Sequence, residues 1–155
     1  MRLLDSISLG FHERMHGRYE GVTLDVPVSG AFAFDVDVAC KDLSHPLKMV
    51  RADMSGTVSM HGIGEDMPMS GTVLISPFWR RSLTYDFDFQ GPDGKDYHFR
   101  GEKQIRWRHA LDTWTRLPGK VYEQTSRLAI ADVVAYFDLH RDLLRMLTSV
   151  HRLPT

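Results

Sequence analysis

The sequence predicts an all-β protein: an antiparallel up-and-down barrel of about eight strands with a C-terminal amphipathic helix, in one domain spanning residues 1–155. Three observations carry this. Apolar and polar residues alternate with period two through successive segments. Turn-forming Gly, Pro, Asp and Ser residues separate those segments. The period changes to that of a helix only at the end of the chain. A β-sandwich is the alternative arrangement of the same strands, but a closed barrel removes the sheet edges that sequential antiparallel strands otherwise leave open.

Taken in order, residues 7–16 alternate Leu9, Phe11, Glu13 and Met15 against Gly10, His12, Arg14 and His16. Gly17-Arg18-Tyr19-Glu20-Gly21 then reads as a turn region. Phe32, Phe34, Val36 and Val38 share one face of the next segment, with Asp35 and Asp37 on the other, as a strand with one wet face requires. Residues 47–60 read as a long strand with Gly56 as a bend or bulge, and 62–66 as a loop. A strand follows from Met67 to Ser76, with Pro68 near its start, where proline is tolerated.

Leu83, Tyr85, Phe87 and Phe89 alternate with Thr84, Asp86 and Asp88. After the turn signal Gly91-Pro92-Asp93-Gly94, the chain alternates again through Tyr97, Phe99, Gly101, Lys103, Ile105 and Trp107. Keeping the aromatics face to face pairs Phe89 with Tyr97 and Phe87 with Phe99. That register sets Asp86 opposite Arg100 and demands an odd-length loop or a bulge. Asp112-Thr113-Trp114-Thr115 and Pro118-Gly119 read as loop, followed by short strands at 120–125 and about 128–137. Leu139, Leu143, Met146, Leu147 and Val150 then form one apolar helical stripe, with Asp138 as its N-cap.

Composition narrows the function. A net charge of −1 gives no bulk electrostatic case for nucleic acid or an anionic membrane surface. No apolar run approaches the length of a membrane-spanning helix. Cys40 is the single cysteine, so no intrachain disulfide can form and a Cys-based metal site is implausible. The N-terminus lacks a long apolar signal region, and a cytoplasmic location is expected. There is no G-x-S-x-G elbow, no phosphate-binding loop and no dinucleotide fingerprint, and no cofactor is expected.

His12-Glu13-Arg14-Met15-His16 matches the H-E-x-x-H pattern of zinc peptidases. That chemistry needs a helix, which sets both histidines and the carboxylate around one metal. Gly10 and Gly17 bracket the motif closely, and the alternation favours a strand. On a strand His12 and His16 share one face while Glu13 points to the other. A zinc-dependent hydrolase using His12, His16 and Glu13 is therefore the alternative reading. Asp35-Val36-Asp37 and Asp86-Phe87-Asp88 read as wet strand faces rather than metal pairs.

Glu13 and Lys103 each interrupt a face otherwise made of large apolar residues. A buried charge is costly unless it is paired, so the two are expected to meet inside the barrel or converge on a polar, ligand-binding end.

Leu9-x-Phe11-x-Glu13-x-Met15-x-Gly17 resembles a segment of the accessory, non-FAD domain of bacterial cholesterol oxidase-like proteins of the glucose–methanol–choline oxidoreductase group. Ser55-Gly56-Thr57-Val58, Met67-Pro68 with Gly71-Thr72, Leu83-x-Tyr85-x-Phe87-x-Phe89, Gly101-x-Lys103, Asp112-x-Trp114 and the segment 142–149 are similar too, in order along the chain. The FAD-binding fingerprint is missing, so the flavin chemistry does not carry over. The resemblance implies a β-rich module that stands beside lipid- and sterol-related enzymes, with Glu13 and Lys103 at motif positions.

The resulting expectation is a non-catalytic barrel that binds a small apolar, lipid- or sterol-like ligand, or docks on an oxidoreductase or lipid-enzyme partner. Glu13, Lys103, Phe11, Phe34, Tyr85, Phe87, Phe99, Trp107 and Trp114 are the candidate ligand-binding residues, with Phe32 beside them. A filled core without a cavity is the competing reading of those aromatics.

Overall fold

The computed structural model describes residues 9–40, 49–76, 81–104, 116–136 and 151–152. Eight long strands follow one another: β1 (Leu9–Gly21), β2 (Ser29–Cys40), β3 (Val50–Met60), β4 (Gly64–Ser76), β5 (Ser82–Gln90), β6 (Asp96–Gln104), β7 (Arg116–Glu123) and β8 (Ala129–Tyr136). A two-residue β9 (His151–Arg152) pairs with Leu9 and Gly10. Each strand pairs antiparallel with its successor, and β8 returns to β1. The sheet is therefore a closed eight-stranded up-and-down barrel. The expected C-terminal helix lies outside the described residues.

The stagger of this barrel can be read from its pairings. Starting at Leu9 and stepping strand to strand leads through Cys40, Ala52, Val73, Tyr85, Gly101, Gly119 and Val133 to Tyr19. The circuit comes back to β1 ten residues from where it left, at Tyr19 instead of Leu9. With a rise of about 3.3 Å per residue and about 4.8 Å between strands, that stagger tilts the strands by about 40°. Eight strands at such a tilt leave an interior wide enough for side chains or one small ligand.

Alternation delivers the core. Met15, Phe32, Phe34, Val36, Val58, Phe87, Phe99, Leu117 and Val121 are all buried on the inner face. Phe87 stacks on Phe99 at 4.8 Å between centroids, Phe32 on Phe99 at 5.5 Å, and Phe34 meets Phe87 edge-on at 5.3 Å. The register of β5 and β6 is the one the aromatics demand: Phe89 with Tyr97, Phe87 with Phe99, Asp86 with Arg100. Pairing stops at Gln90 and Asp96, leaving a five-residue, odd-length loop over 91–95.

Several boundaries differ from the sequence reading. Gly17 to Gly21 is not a turn but the second half of β1. A Cβ on Gly17 would lie 1.9 Å from the carbonyl oxygen of Val134, so glycine is required here by a neighbouring backbone and not by a bend. Gly56 is likewise in register, between Val36 and Met69; the irregularity of β3 falls between Val58 and Met60. β4 begins at Gly64, inside the expected loop, and β7 begins at Arg116. Pro118 is accommodated in β7 because the β6 pairing ends one residue later, at Gly119.

Candidate functional site

The barrel interior is not uniform along its axis. Strand ends Leu9, Cys40, Val50, Ser76, Ser82, Gln104, Arg116 and Tyr136 form one rim, here the lower rim. Gly21, Ser29, Met60, Gly64, Gln90, Asp96, Glu123 and Ala129 form the upper rim. Towards the upper rim the buried side chains are Tyr19, Val26, Phe32, Met60, Met67, Phe89 and Tyr97. The phenol groups of this set are directed to the periphery: Tyr19 donates to the His61 carbonyl and Tyr97 to Asp93.

Towards the lower rim two charged residues enter an otherwise apolar interior. Of the buried polar and charged residues among those described, Glu13 and Lys103 take inward positions, while Ser76 and Ser82, paired with each other, have the outward parity of β4 and β5; all four belong to the lower half of their strands. Glu13 is 8% exposed and Lys103 6% exposed, on inward-facing positions of β1 and β6. Between them stands Tyr85 of β5. Its hydroxyl donates to the Glu13 carboxylate, 3.1 Å from Oε1 and 3.2 Å from Oε2. Its ring lies 5.9 Å from Lys103 Nζ, within the range of a cation–π contact. One aromatic side chain thus links the two opposite charges, using its hydroxyl for one and its ring for the other.

The electrostatics follow from this placement. Burial pushes the Tyr85 phenol well above its usual pKa, and the neighbouring Glu13 charge and hydrogen bond push it further. Tyr85 therefore stays a proton donor. Burial lowers the pKa of the Lys103 ammonium, and the Glu13 carboxylate pulls it part of the way back up. Cys40, on the same rim, has its thiol pushed up by burial, which makes it a poor nucleophile.

The other sequence candidates divide clearly. Phe34, Phe87 and Phe99 are at most 1% exposed and pack on one another above the polar group. Phe34 also reaches the Tyr85 ring, at 6.2 Å, and so joins the aromatic stack to the charged end. Phe11 pairs with Val38 through its backbone. Trp107 and Trp114 lie outside the described residues.

His12 and His16 are on the outer face of β1, opposite to Glu13. Four residues along a strand set their Cα atoms about 13 Å apart, and Glu13 points to the other face, so the three side chains of the motif do not converge as they would on a helix. The His12 ring instead bridges Asp35 and Asp37 across the β1–β2 pair, with Nδ1 2.9 Å from Asp37. His98 repeats the arrangement on β6, 2.6 Å from Asp88 and 3.0 Å from Asp86. The two Asp-x-Asp segments are thus each clamped from the neighbouring strand by one imidazole. Sequence reasoning identified the wet faces but not these clamps; the His98–Asp88 pairing was implicit in the hairpin register. Among the described residues no group of three or more His, Cys, Asp or Glu side chains is arranged to hold a metal ion.

No family model matches the chain, and comparison with curated proteins and with solved structures likewise finds no match. The fold and the site together define a closed antiparallel barrel with an aromatic core and a charge-balanced polar group buried toward one rim.

Proposed function

We propose that the protein is a non-catalytic binding barrel that takes up a small, neutral, largely apolar molecule at its lower end. The observation that carries this reading is the asymmetry of the interior: apolar and aromatic above, with Glu13, Tyr85 and Lys103 gathered below. Binding sites for apolar molecules combine apolar walls with a few placed polar groups that fix orientation. A carboxylate, a phenol and an amine offer both acceptors and donors to a hydroxyl or carbonyl group.

Charge favours a neutral ligand. Glu13 and Lys103 carry opposite charges that offset each other in a buried setting. A charged headgroup entering beside them would leave one charge without compensation, at a cost of several kcal/mol. The resemblance to the accessory domain of cholesterol oxidase-like proteins supports a sterol-like or lipid-like alcohol or ketone.

Titration with 1-octanol, octanoate and octylamine, followed by native mass spectrometry and calorimetry, tests the proposal. Octanol is expected to bind with defined stoichiometry, and both charged homologues at least tenfold more weakly. Equal binding of all three, or binding of none of them, overturns it.

A further inference from the structure

A second polar arrangement lies on the outside of the barrel, toward the upper rim, and is built without the interior. The registers of β5, β6 and β7 set Asp88, His98 and Tyr122 side by side in one outward row. Beyond the row the chain turns back from β7 to β8. The Glu123 carbonyl accepts from the Arg127 amide at 2.8 Å, and the Glu123 amide donates to the Leu128 carbonyl at 3.0 Å. Gln124 pins this loop to the row: its side-chain amide donates to Asp88 Oδ1 at 2.8 Å and to the Tyr97 carbonyl at 3.3 Å. Row and loop bound an open cleft of about 390 Å³, lined by Asp88, His98, Tyr122, Glu123, Gln124 and Arg127. Its size falls within the range of small-molecule sites.

We infer that this cleft binds a free basic amino acid. The charges decide the class. Asp88 and Glu123 bring two carboxylates and Arg127 one guanidinium. Asp88 uses Oδ1 for His98 and Gln124, while its Oδ2 has no hydrogen-bond partner among the described residues. The Glu123 and Arg127 side chains likewise form no ion pair among the described residues. A basic amino acid carries the complementary set, one carboxylate and two cations. Its carboxylate matches the two-pronged donor geometry of the Arg127 guanidinium. Its ammonium and side-chain cation match Glu123 and Asp88. Tyr122, half-buried, supplies aromatic surface for a guanidinium or an alkyl stem.

The groups are also held in advance of any ligand. His98 has one ring nitrogen on Asp88 and the other on Asp86, and Arg100 holds Asp86 from the same strand, so the row is braced across β5 and β6. Groups fixed this way give up little freedom on binding. Arg127 has φ +59°, a left-handed conformation that glycine or asparagine adopts more easily. The loop therefore keeps its one guanidinium in a strained backbone position at the edge of the cleft, and strain of this kind gathers at ligand sites.

Titrating the isotope-labelled full chain with L-arginine, followed by amide chemical shifts, tests the inference. Saturable shifts are expected at Asp88, His98 and residues 122–127. Agmatine, which lacks the carboxylate, and L-norleucine, which lacks the side-chain cation, are each expected to bind about fivefold more weakly or worse, and L-glutamate to give no saturable shift. In Arg127→Gly, where glycine accepts the backbone conformation, L-arginine is expected to bind no better than agmatine. In Glu123→Gln its affinity is expected to fall about fivefold with an unchanged urea midpoint. Saturable shifts confined to other parts of the barrel, no saturable shift at all, or equal affinity for L-arginine, agmatine and L-norleucine overturns the inference. The ligand comparison in the wild-type chain decides the matter even if a variant does not fold, and its outcome is independent of whether octanol enters the interior.

Discussion

Tyr85 on β5 reaches across the barrel interior to Glu13 on β1 and places its hydroxyl 3.1 and 3.2 Å from the two carboxylate oxygens. The strands are four apart in an eight-stranded circuit, so this one hydrogen-bonded group ties opposite walls together. A hydrogen bond to a buried charged group contributes about 1.5–3 kcal/mol.

Replacing Tyr85 with Phe is expected to lower stability by about 1.5–3 kcal/mol, because the Glu13 carboxylate loses a donor while remaining buried. Urea unfolding of Tyr85→Phe, Glu13→Gln and the double variant measures it. The two single effects are expected to be non-additive by about 1 kcal/mol or more, with unchanged m-values. Additive effects would show that the carboxylate does not depend on the phenol.

The two faces of β6 are expected to respond very differently to truncation. Phe99 stacks on both Phe32 and Phe87, so Phe99→Ala is expected to cost about 3–5 kcal/mol. Arg100, on the outer face, forms an ion pair with Asp86 at 3.1 Å and is 55% exposed, and Arg100→Ala is expected to cost less than about 1 kcal/mol. Only the Arg100 effect should shrink when salt is raised. Thermal melts at two ionic strengths check both.

Gly17 and Gly94 separate collision from backbone strain. An alanine at Gly17 would press its Cβ into the Val134 carbonyl, and about 1–3 kcal/mol or more is expected to be lost as β1 and β8 move apart. Gly94 has φ +80° and open space around it, so Gly94→Ala is expected to cost only about 1 kcal/mol, from the left-handed conformation alone. Equal losses in denaturant titrations would mean that the β1–β8 seam adjusts more freely than its backbone contact implies.

Burial, and after it the hydrogen bond and charge of Asp93, push the Tyr97 phenol up to about 12. A group whose folded pKa is raised binds its proton more tightly in the folded state. Its contribution is complete below the unfolded value near 10 and is lost as the pH rises through the window to about 12. Stability is therefore expected to fall across that window, and Tyr97→Phe to flatten part of the fall. Denaturant midpoints measured from pH 9 to 12 test this; a Tyr97→Phe profile parallel to wild type would count against it.

Much of the fold was legible because alternation is local. The hairpin register around Phe87 and Phe99 follows from two short segments and an odd loop, with nothing needed from the rest of the chain. Gly17 was misread because glycine in a sequence looks the same whether it frees a turn or admits a neighbouring carbonyl, and only the closed barrel brings Val134 to that point. Glu13 and Lys103 stood out as charges on apolar faces. Tyr85 was recognised as an inward aromatic but not as the group between them. Its reach to β1 depends on strand number and the ten-residue stagger, which no single strand encodes. The imidazole clamps on Asp35–Asp37 were hidden for the same reason, since the β1–β2 register was not specified by a short turn.

Closure through β1 and β8 also sets a timetable for synthesis. β1 is made before every other strand of the barrel, and it can pair with β2 soon afterwards. Its other edge stays without a partner from His16 to Gly21 until residues 129–136 have been made. Throughout that interval the nascent chain carries two open strand edges, one on β1 and one on whichever strand was made last, and each is a template for pairing with another chain. The hazard ends only with the last barrel strand, so a chain that stalls before Ala129 has no partial barrel to retreat to. Yield in a cell then depends on translation outpacing encounter between unfinished copies, or on chaperones that keep those copies apart.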